Sequence, residues 1–117
     1  MERDMELIRS MLIDLRKKEP GSPHETQTNS KDYYHMYLLH DSNLIDADIN
    51  NYGDGKSSFD FIKITSAGHD FLDAAENDNV WNKAKEGMKQ QGLEISKVPL
   101  GVLTGYLKLK LNELLGI

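Results

Sequence analysis

Ile45-Asp46-Ala47-Asp48-Ile49, then Asn50-Asn51-Tyr52-Gly53-Asp54-Gly55, then Ser58-Phe59-Asp60-Phe61-Ile62-Lys63-Ile64 is the stretch that decides the fold class of this 117-residue chain. In the first run apolar and acidic residues alternate, the period-two pattern of a strand with one wet face. The middle run consists of turn residues, so the third is expected to pair back as a second strand. Its pattern is imperfect: Phe59 and Phe61 share one parity while Ile62 and Ile64 share the other. Either both faces are partly covered or a bulge shifts the parity.

Helical signals flank this hairpin. Upstream, Ile8, Met11, Leu12 and Leu15 fall at i, i+3, i+4, i+7 within Arg3 to Lys18. Asp4 and Glu6 stand early and Arg16, Lys17 and Lys18 late, as the helix dipole favours. Glu19 to Ser30 is polar, carries Pro20, Gly21 and Pro23, and reads as a loop. A second helix is expected from a cap at Asn29 or Ser30 to about Ser42, with Tyr34, Tyr37 and Leu38 inward. Asn43 should end it, because Asn accepts the left-handed conformation, with Leu44 as the apolar closure. Downstream, Thr65 caps a third helix to about Glu76 with Phe71, Leu72 and Ala75 inward. Asn77, Asp78 and Asn79 break it before a fourth, Val80 to Gln91, with Trp81, Ala84 and Met88 on one side and Gly92 past its end. Ser96 is expected to cap a last helix from about Pro99 to Leu115, closed by Gly116.

Two resemblances organise these elements. The string from His35 through Met36, Tyr37, Leu38, Leu39, His40, Asp41, Ser42 and Asn43 to Leu44 and Ile45 resembles the recognition-helix segment of winged-helix regulators of the arsenic-repressor type, with Asn43 where that family has glycine. Ile64-Thr65-Ser66-Ala67-Gly68 resembles the strand-to-helix exit that follows their wing. Over nearly the whole chain the sequence also resembles a bacterial and phage-associated family, domain of unknown function 2513. The residues that carry this are Arg3 to Arg9, Tyr34-His35 with Leu38-Leu39, Leu44-Ile45, Thr65 with Gly68 to Ala75, and Val80 to Lys85. The resemblances imply an α+β fold: a winged-helix-like core of helix, helix, β-hairpin wing and helix over residues 1–76, with two additional C-terminal helices over 77–117, in a single domain of 1–117. They also imply phage or prophage origin. A helix-turn-helix needs a short positioning helix just before its recognition helix, and Glu19 to Ser30 has no apolar face from which to build one.

Charge and composition narrow the function. Fourteen Lys and Arg against 19 Asp and Glu leave a net charge of -5, which disfavours a generally basic nucleic-acid surface and membrane adhesion. Asp32 to Ile64 carries only Lys56 and Lys63 against six aspartates. With no cysteine, disulfides, thiolate metal sites and cysteine nucleophiles are excluded, and the composition suits a reducing cytoplasm. Met1 to Ser10 is charged throughout, so no signal peptide is expected, and no uncharged run approaches the length of a membrane span.

Motifs that would carry chemistry fail on inspection. Asp46, Asp48 and Asn50 copy positions one, three and five of a calcium loop, but Asn51 stands where Gly is needed and Ser57 where the closing Glu is needed. Gly55-Lys56-Ser57 imitates the end of a phosphate-binding loop, yet Asn50 replaces its first glycine and a strand follows instead of a helix. His35 and His40 diverge around a helix, and His69 with Asp73 has no third ligand nearby. There is no G-x-S-x-G elbow. The reading therefore expects no catalysis, no cofactor and no metal.

What remains is recognition. The first expectation is a non-catalytic interaction module that engages an unidentified protein partner through the acidic helix-two and wing surface, with Tyr33, Asp46, Asp48 and Tyr52 as contacts. The alternative is a DNA-binding regulator, with Arg16, Lys17, Lys18, Lys56 and Lys63 on phosphates and Tyr33, His35, Met36 and His40 facing the groove; it requires the cations to converge. A homodimer is expected as well. Leu100, Leu103, Leu107, Leu111 and Leu114 form one stripe of the last helix, while Val98, Val102, Tyr106 and Leu109 form a second, nearly opposite, beside Gly101 and Gly105. The second stripe is assigned to the two-fold interface, with Tyr106 near the axis.

Overall fold

Asp4 opens the first helix by accepting the Leu7 amide on its carboxylate, 3.2 Å away, and α1 then runs over Met5–Lys17. That bond first, and the Lys31 ammonium second, hold the Asp4 carboxyl below its ordinary value. A computed structural model describes residues 1–117. After α1 come β1 (His24–Gln27), α2 (Lys31–Asp41), β2 (Ile45–Asn51), β3 (Lys56–Ile64), α3 (Ser66–Ala75), α4 (Asp78–Gln90), a 3-10 turn at Ile95–Lys97 and α5 (Leu100–Leu115). The fold is α+β: helix, helix, hairpin and helix, followed by two further helices, with one antiparallel sheet in the order β1-β3-β2.

The chain divides into two compact units, Met1–His69 and Asp70–Ile117. The division falls inside α3. The first turn of α3 belongs with the hairpin: the Gly68 amide donates to Thr65 Oγ1 at 3.0 Å, and the Thr65 amide donates to the Leu44 carbonyl at 3.0 Å. The rest faces α4, where Phe71 meets Trp81 edge-on with ring centroids 6.4 Å apart.

In the first unit Met5, Ile8, Met11 and Leu12 of α1 are buried, as are Leu44, Ile45 and Phe59 of the hairpin region. The parity break in β3 is a bulge. Asp46 pairs with Lys63 and Asp48 with Asp60, so Ala47 alone stands opposite Phe61 and Ile62. The extra residue restores Phe59, Ile62 and Ile64 to one face. It leaves Phe61 in the left-handed region at φ 54° and 75% exposed. Asn43, at φ 62°, ends α2 in that same conformation as expected, with Leu44 buried behind it.

Two expectations for this unit are corrected. Glu19 to Ser30 is not all loop, because His24 to Gln27 pairs with Lys56 to Phe59 as an edge strand. His-Glu-Thr-Gln has no apolar alternation; its partner strand imposes the conformation. The Thr28 hydroxyl bonds Ser57 Oγ, which itself donates to Asn51 Oδ1 at 2.6 Å, tying the end of β1 to the hairpin. No helix stands between β1 and α2. The inward face of α2 is also rotated: His35, Met36 and Leu39 are buried, Tyr34 and Leu38 are half-buried, and Tyr37 is 45% exposed. His35 is the cause. Its Nε2 accepts the Asp4 amide at 2.8 Å and its Nδ1 donates to the Lys31 carbonyl at 2.8 Å. An amide can only donate, so the ring carries its proton on Nδ1 and clasps the start of α1 to α2.

In the second unit Trp81, Ala84 and Met88 of α4 and Leu100, Leu103 and Leu107 of α5 are buried, and α4 lies against α5. Asn77 caps α4 by accepting the Val80 amide at 3.1 Å. Tyr106 passes its hydroxyl so close to Gly87 that a side chain there would collide with it. The start of the last helix differs from expectation. Ser96 lies in the 3-10 turn and Pro99 occupies the cap position, since a residue without an N–H fits where no helical bond is due. Val98 therefore precedes α5 and is buried.

Candidate functional site

The open face of the hairpin is built by alternation. Asp46, Asp48 and Asn50 of β2 point to solvent, and across from them stand Lys63, Asp60 and Ser58 of β3. Tyr52 continues the row, its hydroxyl 2.8 Å from Ser58 Oγ. The Ser58 hydroxyl donates to Asp60 Oδ2 at 3.0 Å, so the Tyr52 hydroxyl is the donor to Ser58. Asn50 Nδ2 donates to the same Asp60 oxygen at 2.6 Å. Asp48 directly faces Asp60, and like charges opposite one another across a ladder are unfavourable. The face thus sets Asp48 against Asp60, with Lys63 across from Asp46, and the exposed Phe61 follows Asp60 in the chain. The parity break in the sequence carried the only signal for Phe61; nothing in the sequence singled out Asp60.

The predicted contact residues do not all share this face. Asp46, Asp48 and Tyr52 do. Tyr33 packs on Phe59 with centroids 5.6 Å apart and stacks with Tyr37 at 6.5 Å, which puts it against the covered side of the sheet. The exposed member of that pair is Tyr37.

The groove-reading set is divided further. His35 and Met36 are fully buried and cannot reach a base edge, a correction that follows from the rotation of α2. His40 is half-buried. Of the cations, Arg16, Lys18 and Lys63 line one cleft together with His69, while Lys56 lines another with Glu25, Gln27 and Tyr52 at the far end of the hairpin. Lys17 is exposed at the end of α1 and lines neither. His69 joins the cleft only because α3 folds back there, which no spacing in the sequence announces.

The residues assigned to a two-fold interface also separate. Val102 is 61% exposed and Leu109 52%, and a side chain at Gly101 or Gly105 would meet nothing. Val98 is buried, and Tyr106 is half-buried over Gly87 with Lys110 Nζ 5.2 Å from its ring centroid. No helix is long and apolar enough to cross a membrane.

Comparison with known proteins agrees with the family resemblance. No solved structure matches the chain. An uncharacterized protein of Haemophilus influenzae is 31% identical over 105 residues, covering 82% of this chain and 86% of that protein. The family model described as "Hypothetical protein (DUF2513)" matches residues 2–94, from just before α1 to just past α4. With that match over most of its length, this chain belongs to the DUF2513 family.

Proposed function

We propose that the protein is a non-catalytic interaction module with a winged-helix-like core, of phage or prophage origin and working in the bacterial cytoplasm, that engages a protein partner through the open hairpin face. The observation that carries this is Asp48 held opposite Asp60, next to a Phe61 side chain that is exposed and seated on a left-handed backbone. A left-handed conformation costs a bulky residue about 1–2 kcal/mol, and Phe61 recovers little of it by burial. An exposed aromatic next to Asp60 in the chain suits a partner surface with an apolar pocket and a basic rim.

Immobilised protein and a host lysate test the reading. Proteins retained by the wild type should lose about tenfold or more in affinity with Asp48→Lys or Phe61→Gly. Folding stability of Phe61→Gly should be unchanged or raised by up to about 1 kcal/mol, since glycine relieves the strained φ. A captured set indifferent to both substitutions refutes the assignment.

A DNA-binding regulator is the second reading, favoured by the meeting of Arg16, Lys18 and Lys63. Phosphate contacts position a protein on DNA but carry no sequence information, and two of the four groove candidates lie in the core. The module is also read as a homodimer through α5, supported by the exposed Val102 and Leu109 and the open surface at Gly101 and Gly105. Sedimentation should give a dimer at high micromolar concentration that Leu109→Glu dissociates while the far-ultraviolet spectrum stays intact. A wild-type monomer under those conditions rejects it.

A further inference from the structure

The two outer strands of the sheet are finished differently. β1 is four residues long, and its outward Gln27 carbonyl already accepts the Ser30 amide at 3.1 Å. β2 is seven residues long and has no such cover. Its hydrogen-bonding parity is fixed from both ends. The Tyr52 amide donates to the Lys56 carbonyl at 2.9 Å and the Thr65 amide to the Leu44 carbonyl at 3.0 Å, so Asp46, Asp48 and Asn50 turn their backbone groups toward β3. The N–H and C=O of Ala47, Ile49 and Asn51 therefore point away from the sheet, and no group of the protein bonds them. The side chains of Ala47 and Ile49 are half-buried on the covered side, where Ile49 is paired with Phe59, while Asp46, Asp48 and Asn50 alternate with them on the open side. Lys63 stands across from Asp46, but Asp48 faces Asp60 and has no cation opposite it.

Resting on the reading of the hairpin as a protein-binding surface, we propose that the β2 edge takes up an extended segment of a partner protein as a fourth strand, one in which basic and apolar residues alternate. Such strand addition draws affinity from main-chain hydrogen bonds and specificity from alternate side chains. Lysine or arginine in the added strand would lie beside Asp46 and Asp48 on the open side, where the unmatched Asp48 and Asp60 gain a cation. Apolar residues would extend the covered side next to Ala47 and Ile49. A second copy of this chain is a poor occupant. Antiparallel pairing of β2 with itself about Ala47 sets Asp46 against Asp48, and a shift by one pair sets the two Asp48 carboxylates face to face. Even pairing about Ile49 leaves those carboxylates as diagonal neighbours.

The test titrates the isotope-labelled full chain with a short synthetic peptide alternating lysine and valine, followed by amide chemical shifts and hydrogen exchange at constant ionic strength. Binding should saturate and should slow exchange of the Ala47, Ile49 and Asn51 amides about tenfold or more. N-methylating one alternate set of peptide residues should abolish binding and the other set should spare it, because only one set turns its N–H groups toward β2. On the protein side, Asp48→Lys should weaken binding about tenfold. Ile49→Pro should abolish it with the far-ultraviolet spectrum intact, since that N–H faces away from β3 and proline is tolerated on an edge strand. No saturable binding, or binding that leaves the three amides unprotected, overturns the inference. A peptide that depends on Asp48 but is indifferent to N-methylation at either set removes the edge while the open-face reading stands. Protection of the three amides that rises with protein concentration in the absence of peptide also overturns it, because the occupant is then a second copy.

Discussion

Gly68→Ala is expected to destabilise the first unit by about 3 kcal/mol, at the upper end of overpacking costs. A Cβ at this position would collide with the Leu44 carbonyl oxygen and stand 2.7 Å from Ile64 Cγ2. Neither neighbour can yield cheaply. The Leu44 carbonyl accepts the Thr65 amide that leads into α3, and Ile64 is paired with Ile45 in the sheet. Replacing an ordinary helical glycine by alanine stabilises by up to about 1 kcal/mol, so the predicted sign is opposite to propensity. Gly101→Ala in α5, where a Cβ meets nothing, supplies the contrast and should be neutral or stabilising. Urea midpoints of the two variants measure the difference, and a Gly68→Ala protein as stable as the wild type would mean that α3 does not leave the hairpin this closely.

His35→Ala should cost a comparable amount, about 3 kcal/mol, from a cavity at a fully buried site and an Asp4 amide left without its acceptor. His35→Gln places a carbonyl oxygen near the Nε2 position and should recover part of the loss, because it can still accept the Asp4 amide. Urea denaturation of both variants checks this. A His35→Ala protein within about 0.5 kcal/mol of wild type, the range of surface substitutions, would return His35 to the surface and with it the groove-facing role.

These two residues mark where local reading stops. Gly68 sits in the string Ile64-Thr65-Ser66-Ala67-Gly68, which signals a strand-to-helix exit, and the exit is where the string puts it. The reason a glycine is needed is the Leu44 carbonyl, 24 positions back in the chain. His35 has the same character. On its own helix it is one polar residue beside Tyr34 and Tyr37, and aromatic content makes those two look like the inward face. The Asp4 amide, an orphan at the start of another helix, decides otherwise.

The sequence by itself determined the α+β class, the hairpin with its wet acidic edge, the inward stripe of α1, the caps at Thr65 and Gly116, and the left-handed stop at Asn43. Each follows from interactions within a few residues: side-chain parity along a strand, the 3.6-residue period of a helix, and the steric tolerance of Asn and Gly. Tertiary structure alone decided the rest. It made a strand of His24 to Gln27, turned α2 about His35, chose the bulge over a doubly covered sheet, and thereby left Phe61 exposed. It also brought Arg16 and Lys18 to Lys63 and His69 while leaving Lys56 at the far end of the hairpin. Those outcomes depend on which distant backbone groups and charges meet once the chain has closed, and one-dimensional spacing carries no information about that.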